Sequence, residues 1–199
     1  MLSTFLTAIQ ARPSPPVTEV SKLMSSLSMT DDIEPIVKRR LQGANADHLS
    51  RAIYTMSLVE TREYSVVVFM LPSGAVLPLH DHPNMTVLFR VLRGAVHLRS
   101  FDWLGAPPTA LPVFDGLLRA SDPVVTIRPE GGGVIHSIAG AGEEGAVFID
   151  YITPPYYMSP NYADCTYYAE EAAPTEQQPL RVRLRRMNPP PEVRMECLE

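Results

Sequence analysis

The sequence predicts a mainly β protein, a sandwich or small barrel of short strands, with a helical extension at the N-terminal end. Three observations carry this. From residue 52 onward, short runs rich in Val, Ile, Tyr and Phe recur, punctuated by Pro, Gly and Asp. Before them the apolar residues follow a helical spacing. The chain also holds 20 prolines, with clusters at 13–16, 107–112, 154–155 and 189–191 that oppose helix and central strand.

Taken in order, residues 17–28 place Val20, Leu23, Met24 and Leu27 on one helical face. Thr30-Asp31-Asp32 offers capping groups for a short helix through Ile36 and Val37. These helices are expected as an extension, residues 1–50, packed on a strand-built body at 51–199. Strands are expected at 52–59, 64–71, 87–92, 95–101, 124–128 and 146–152. Residues 180–186 alternate strictly, Leu180, Val182 and Leu184 against Arg181, Arg183 and Arg185. That is a strand with one buried face, its arginines reading as a solvated face. Met195 and Cys197 fit a last strand. The prolines at 107–112 read as a loop, and 109–121 as a short insert that gives no clue to substrate.

Bulk properties narrow the class. With 199 residues, 45% hydrophobic and 20% charged, the chain can build a core without staples. A net charge of -5 argues against a nucleic-acid partner. The two cysteines, Cys165 and Cys197, are too few for a disulfide scaffold. No apolar run reaches the length of a membrane span, so no membrane partner is expected. Residues 1–15 lack a basic segment followed by an apolar one, which speaks against a secretory signal. The expectation is a reducing compartment, the cytoplasm with the nucleus as a further location, and a monomer.

The chemistry gathers around His80-Asp81-His82. In an extended chain residues i and i+2 share a face, so both imidazoles can aim at one point while Asp81 turns away. Neutral imidazole suits borderline divalent metals. Gly74 lies six positions before His80 and Gly94 twelve after His82. A third histidine, His136, follows the turn Pro129-Glu130-Gly131-Gly132-Gly133. His97 is expected to be structural or to sit behind a ligand, and His48 to lie on the surface.

The two histidine segments resemble the two cupin motifs, a glycine and five residues before His-x-His, then a Pro-x-Gly turn before a histidine. The cupin fold, a double-stranded β-helix or jelly-roll barrel, is therefore expected. The glutamate that many cupins carry after the second histidine is missing, since 83–87 reads Pro-Asn-Met-Thr-Val. Three imidazoles then remain, a site that favours an anionic ligand such as thiolate.

Longer blocks narrow the resemblance. Residues 69–87, the stretch 94–103 ending Phe101-Asp102-Trp103, Asp150-Tyr151-Ile152-Thr153-Pro154-Pro155-Tyr156 and Asp164-Cys165-Thr166-Tyr167-Tyr168 are similar to signatures of the plant cysteine oxidases and 2-aminoethanethiol dioxygenase. The resemblance implies a non-haem Fe(2+) enzyme with O2 as co-substrate. It would convert the thiol of cysteamine, or of a protein's N-terminal cysteine, to a sulfinic acid, and so act as an oxygen sensor feeding the N-degron pathway. His80, His82 and His136 are then the implied metal ligands. Asp150 would hold the substrate amine or orient a ligand, Tyr156 would place a hydroxyl by the oxygen, and Cys165 and Tyr167 could form a thioether.

Two departures stand out. Asn84 replaces a glycine, and asparagine tolerates the left-handed region. Thr153 replaces the glycine before Pro154-Pro155. The lack of an arginine near the histidine motif favours amine-bearing thiols or peptide N-termini over free cysteine. The competing readings are another metal-binding cupin enzyme, an isomerase or decarboxylase, and a cupin that only binds a ligand.

Overall fold

The apolar runs pair into one continuous sheet that closes on itself. The computed structural model describes residues 1–40, 52–156, 165–172, 181–188 and 195–198. Helices come first: α1 (Leu2–Gln10), α2 (Val17–Ser25), a π-helical turn at Met29–Ile33, and α3 (Glu34–Arg40). The strands are β1 (Ile53–Glu60), β2 (Ser65–Leu71), β3 (Val76–Asp81), β4 (Thr86–Trp103), β5 (Thr109–Arg119), β6 (Val125–Ile127), β7 (Ile135–Thr153), β8 (Tyr167–Ala172), β9 (Val182–Met187) and β10 (Met195–Cys197). They lie in the order β10-β1-β2-β7-β3-β8-β9-β5-β4-β6, and β4 also pairs with β7. That extra pairing closes the ring β7-β3-β8-β9-β5-β4. The mainly β barrel with helices at its start is the class the sequence predicts.

Two long strands organise the barrel. β4 and β7 pair along most of their length, but the register jumps where Gly94 faces Ala146 and Ala95 faces Ala141. Gly94 has φ 71°, and a Cβ there would stand 2.0 Å from the Gly145 carbonyl oxygen. Only glycine fits such a bend. Each strand thereby serves two half-sheets. The second half of β7 pairs with β2, and its first half with β3. The expected strands at 87–92 and 95–101 are the two halves of β4.

Alternation along the strands separates two apolar layers. Val66 and Val68, Leu88 and Leu92, and Val147, Ile149 and Tyr151 face outward and pack with Phe5, Ile9, Val20 and Met24 of the helices. Burying each such side chain contributes about 1.5–3 kcal/mol. Arg90, between Leu88 and Leu92, donates to the carbonyls of Met24 and Leu27 at the end of α2. The opposite face holds Val87, Phe89, Val91, Leu98, Ile138, Phe148 and Ile152, the barrel interior.

Three local expectations need correction. Residues 107–112 are not all loop, and 109–121 is not an insert, since β5 runs through them as the partner of β4. Pro112 is accommodated because the register shifts between Ser100 and Phe101, a bulge where the missing N–H is not needed. The cap of the π-helical turn is Ser28, whose side chain accepts from the Asp31 N–H at 3.3 Å. Asp32 instead accepts from the N–H groups of Leu2 (2.6 Å) and Ser28 (2.8 Å). In β9 the alternation holds, with Val182 and Leu184 buried and Arg183 and Arg185 exposed. Leu180 and His48 lie outside the described residues.

Candidate metal centre

His80 sits near the end of β3, His82 just beyond it, and His136 at the start of β7. Although 56 residues separate His80 from His136 in the chain, the β3–β7 register makes them direct partners. His82 is tied in by its N–H, which donates to the Val134 carbonyl at 3.1 Å. Ring centroids lie 5.1 Å apart for His80 and His82, 4.6 Å for His80 and His136, and 4.8 Å for His82 and His136. One nitrogen from each falls within 4.8 Å of the others. All three side chains are buried, His136 to 1% exposure.

The turn before His136 is held from behind. Asp102 of β4 accepts from the N–H groups of Gly133 (2.9 Å) and Val134 (3.1 Å). Gly133 has φ 74°, and a Cβ there would lie 2.4 Å from the Ser100 hydroxyl oxygen. At the other motif Asn84 adopts φ 58°, the left-handed conformation expected for it.

Electrostatics keep the three imidazoles neutral. Burial lowers the pKa of His80, and of His82 and His136 well below the usual histidine value. The neighbouring imidazoles lower His82 and His136 further, whereas the carbonyls of Pro78 and Gly133 act the other way on His80 and His136. Neutral rings have a lone pair to give. His80 Nδ1 lies 2.7 Å from the Pro78 carbonyl, so Nδ1–H donates and Nε2 keeps the lone pair. The Tyr156 hydroxyl is 2.9 Å from the Asp81 carbonyl and 2.8 Å from His82 Nδ1, with Nε2 at 3.4 Å. The hydroxyl donates to the Asp81 carbonyl and lies against the His82 ring, off the axis of either ring N–H. His136 Nδ1 is buried with no hydrogen-bond partner. Three neutral imidazoles with one nitrogen from each within 4.8 Å of the others fit a divalent metal.

The remaining sequence candidates gather close by. Asp150 alternates with Phe148 and Ile152, so it faces the barrel interior. Its Oδ1 has no hydrogen-bond partner, and burial pushes its pKa well above the carboxylate range. Tyr156 is also pushed well above the usual phenol value, by burial first and then by Cys165, Asp81 and Asp150. Those last contributions place Cys165 and Asp150 within electrostatic reach of its hydroxyl. Tyr167 is the β8 partner of His80, its ring 6.3 Å away. His97 does not join the cluster. It is half-exposed on the outside of β4 and pairs with Asp115 at 2.7 Å.

Sequence reading missed Tyr168. Its hydroxyl donates to Asp81 Oδ2 at 2.7 Å, and its pKa is pushed up to about 12 by burial and then by Asp81. The signal was present, because Tyr168 follows Tyr167 and must face the side of the sheet that Asp81 faces.

Comparison with known proteins agrees with this arrangement. The PCO_ADO family model matches residues 19–197. The mouse 2-aminoethanethiol dioxygenase is 32% identical over 184 residues, covering 78% of this chain and 70% of the mouse protein. A probable 2-aminoethanethiol dioxygenase of Dictyostelium discoideum is 32% identical, covering 59% of this chain and 56% of its own length. Plant cysteine oxidase 1 of Arabidopsis thaliana is 31% identical over 61% of this chain and 43% of that protein. The chain thus spans about half the length of several curated relatives it matches. Among solved structures, a double-stranded β-helix protein from Klebsiella pneumoniae matches with TM-score 0.41 and 21% identity, covering 55% of this chain and 87% of the other. With its match running from residue 19 to residue 197, the chain belongs to the PCO_ADO family.

Proposed function

We propose that this protein is a non-haem iron thiol dioxygenase, with Fe(2+) held by His80, His82 and His136. In the reaction R–SH + O2 gives R–SO2H, so both oxygen atoms end on sulfur, two rungs up its oxidation ladder. The substrate is the N-terminal cysteine of a protein or peptide, or cysteamine. The observation that carries this reading is the cluster of three buried neutral imidazoles in a chain of this family. The names of the relatives support a thiol as substrate.

Bound there, the iron would supply a Lewis-acidic point where thiolate and O2 are gathered and activated. The chain's own residues orient and select. The Pro78 carbonyl holds the His80 ring in the tautomer that leaves Nε2 free, and the Tyr156 hydroxyl packs against the His82 ring. Asp150 is the candidate for holding the substrate amine, because an arriving ammonium favours the ionised carboxylate over the buried neutral acid. Tyr156 offers its hydroxyl beside the reacting groups. Cys165 and Tyr167, two residues apart beside His80, are the candidate pair for a thioether. Residues 51–199 would form the dioxygenase domain and 1–50 its helical extension. A product that depends on O2 suits an oxygen sensor feeding the N-degron pathway, acting as a monomer in the cytoplasm. No helix among the described residues is long and apolar enough to cross a membrane.

The test is anaerobic loading with ferrous iron, followed by O2 with an N-terminal-cysteine peptide or cysteamine. Mass spectrometry should find two oxygen atoms added to sulfur. Absence of product with both substrates would sink the reading. His82→Ala should lose its iron, and unchanged iron content would remove His82 from the ligand set.

A further inference from the structure

Because His80 and His82 face the barrel interior, Asp81 between them faces the other way. It is buried there, and every polar atom it has is committed. Its N–H donates to the Thr166 carbonyl at 3.1 Å. Its carbonyl accepts from the Tyr156 hydroxyl at 2.9 Å. Oδ1 accepts from the Thr166 N–H at 2.8 Å, and Oδ2 from the Tyr168 hydroxyl at 2.7 Å. No cation pairs with this carboxylate among the described residues.

A buried carboxylate without a counter-ion is a costly way to hold two strands together, and apolar packing would do it as well. What the carboxylate adds is direction. Its bonds run to the stretch of chain bearing Cys165 and Tyr167, while the backbone carbonyl of Asp81 takes the Tyr156 hydroxyl. Among the described residues the β3–β8 register holds the pair His80 and Tyr167. Asp81 adds polar ties to it through its N–H, Oδ1 and Oδ2.

We propose that Asp81 is a positioning residue which, with Tyr168, locks the Cys165–Tyr167 strand against the three-histidine cluster. It thereby fixes the wall that faces the thiol. The consequence for catalysis rests on the dioxygenase reading, whereas the clamp itself does not.

Two readouts separate the clamp from a merely structural role. The first is hydrogen–deuterium exchange on the metal-free protein. Asp81→Ala should speed exchange of the Thr166 amide by about a hundredfold and Tyr168→Phe by about tenfold, the range for losing bonds to a buried charge. Amides of the β2–β7 ladder should not change. Asp81→Asn keeps an oxygen for the Thr166 N–H and should restore most of the protection. The second readout is kcat per bound iron, which Tyr168→Phe should lower by about tenfold with iron content unchanged. Unchanged exchange at Thr166 in Asp81→Ala, or faster exchange across the whole sheet, would overturn the proposal. So would a fall in rate that merely tracks lost iron. If the wild-type protein oxidises no thiol, the dioxygenase reading fails while the exchange result still decides the clamp.

Discussion

Replacing Tyr156 by Phe removes one oxygen and little else, yet a buried carbonyl loses its partner and the His82 ring its polar neighbour. The Asp81 carbonyl loses a donor at 2.9 Å, and the His82 ring a hydroxyl 2.8 Å from Nδ1. Leaving one buried polar group unpaired costs about 1–3 kcal/mol. The His82 loss bears on metal binding, because the hydroxyl beside the ring holds its orientation. Removing the partner of a ligating histidine weakens metal affinity by about 10–100-fold. That equals about 1.4–2.8 kcal/mol at 1.4 kcal/mol per tenfold, in line with one orphaned buried group. The assay is anaerobic titration of wild-type and Tyr156→Phe protein with ferrous iron against a competing chelator. A denaturation curve for each confirms that both are folded. Equal affinities in two folded proteins would refute the claim that Tyr156 orients the His82 ring.

Two further outcomes concern stability. Gly94→Ala puts a side chain at φ 71° and against the Gly145 carbonyl oxygen. The left-handed conformation alone costs about 1–3 kcal/mol, so the unfolding free energy from a urea titration should fall by at least that much, whereas an unchanged midpoint would contradict the bend. For Asp32, burial raises the pKa, but bonds from the Ser28 and Leu2 amides more than offset this and hold it below the ordinary value. A carboxyl with a depressed folded pKa adds stability above its unfolded value of about 3.9, and that stability is lost as pH falls through the folded value. Asp32→Asn should thus destabilise the protein at neutral pH, and the difference from wild type should shrink in acid. A difference independent of pH would show that the charge plays no part.

Much of the architecture is legible in the residues because strand alternation and helical spacing are local signals. Val66 and Val68 against Phe69 and Leu71 already declare two faces. The join between strand pieces is not local. Whether residues 87–92 and 95–101 form two strands or one bent strand depends on what Gly94 meets, which is the Gly145 carbonyl oxygen some fifty positions on. Pro112 misleads for the same reason, since a proline is acceptable in a strand when the partner offers a bulge. At the site, His80 and His82 are readable as a pair from their spacing. Placing His136 beside them needed the β3–β7 register or a family resemblance. From spacing alone, Asp81 is only the residue that faces away. Its importance appears once Thr166 and Tyr168 arrive on the face it turns to.

The most direct test uses isotopically heavy O2 with the iron-loaded protein and an N-terminal-cysteine peptide in ordinary water. Dioxygenation places two heavy oxygen atoms on the peptide sulfur, and His82→Ala abolishes the product. A sulfur carrying one heavy atom and one from water, or only a disulfide, would contradict the account.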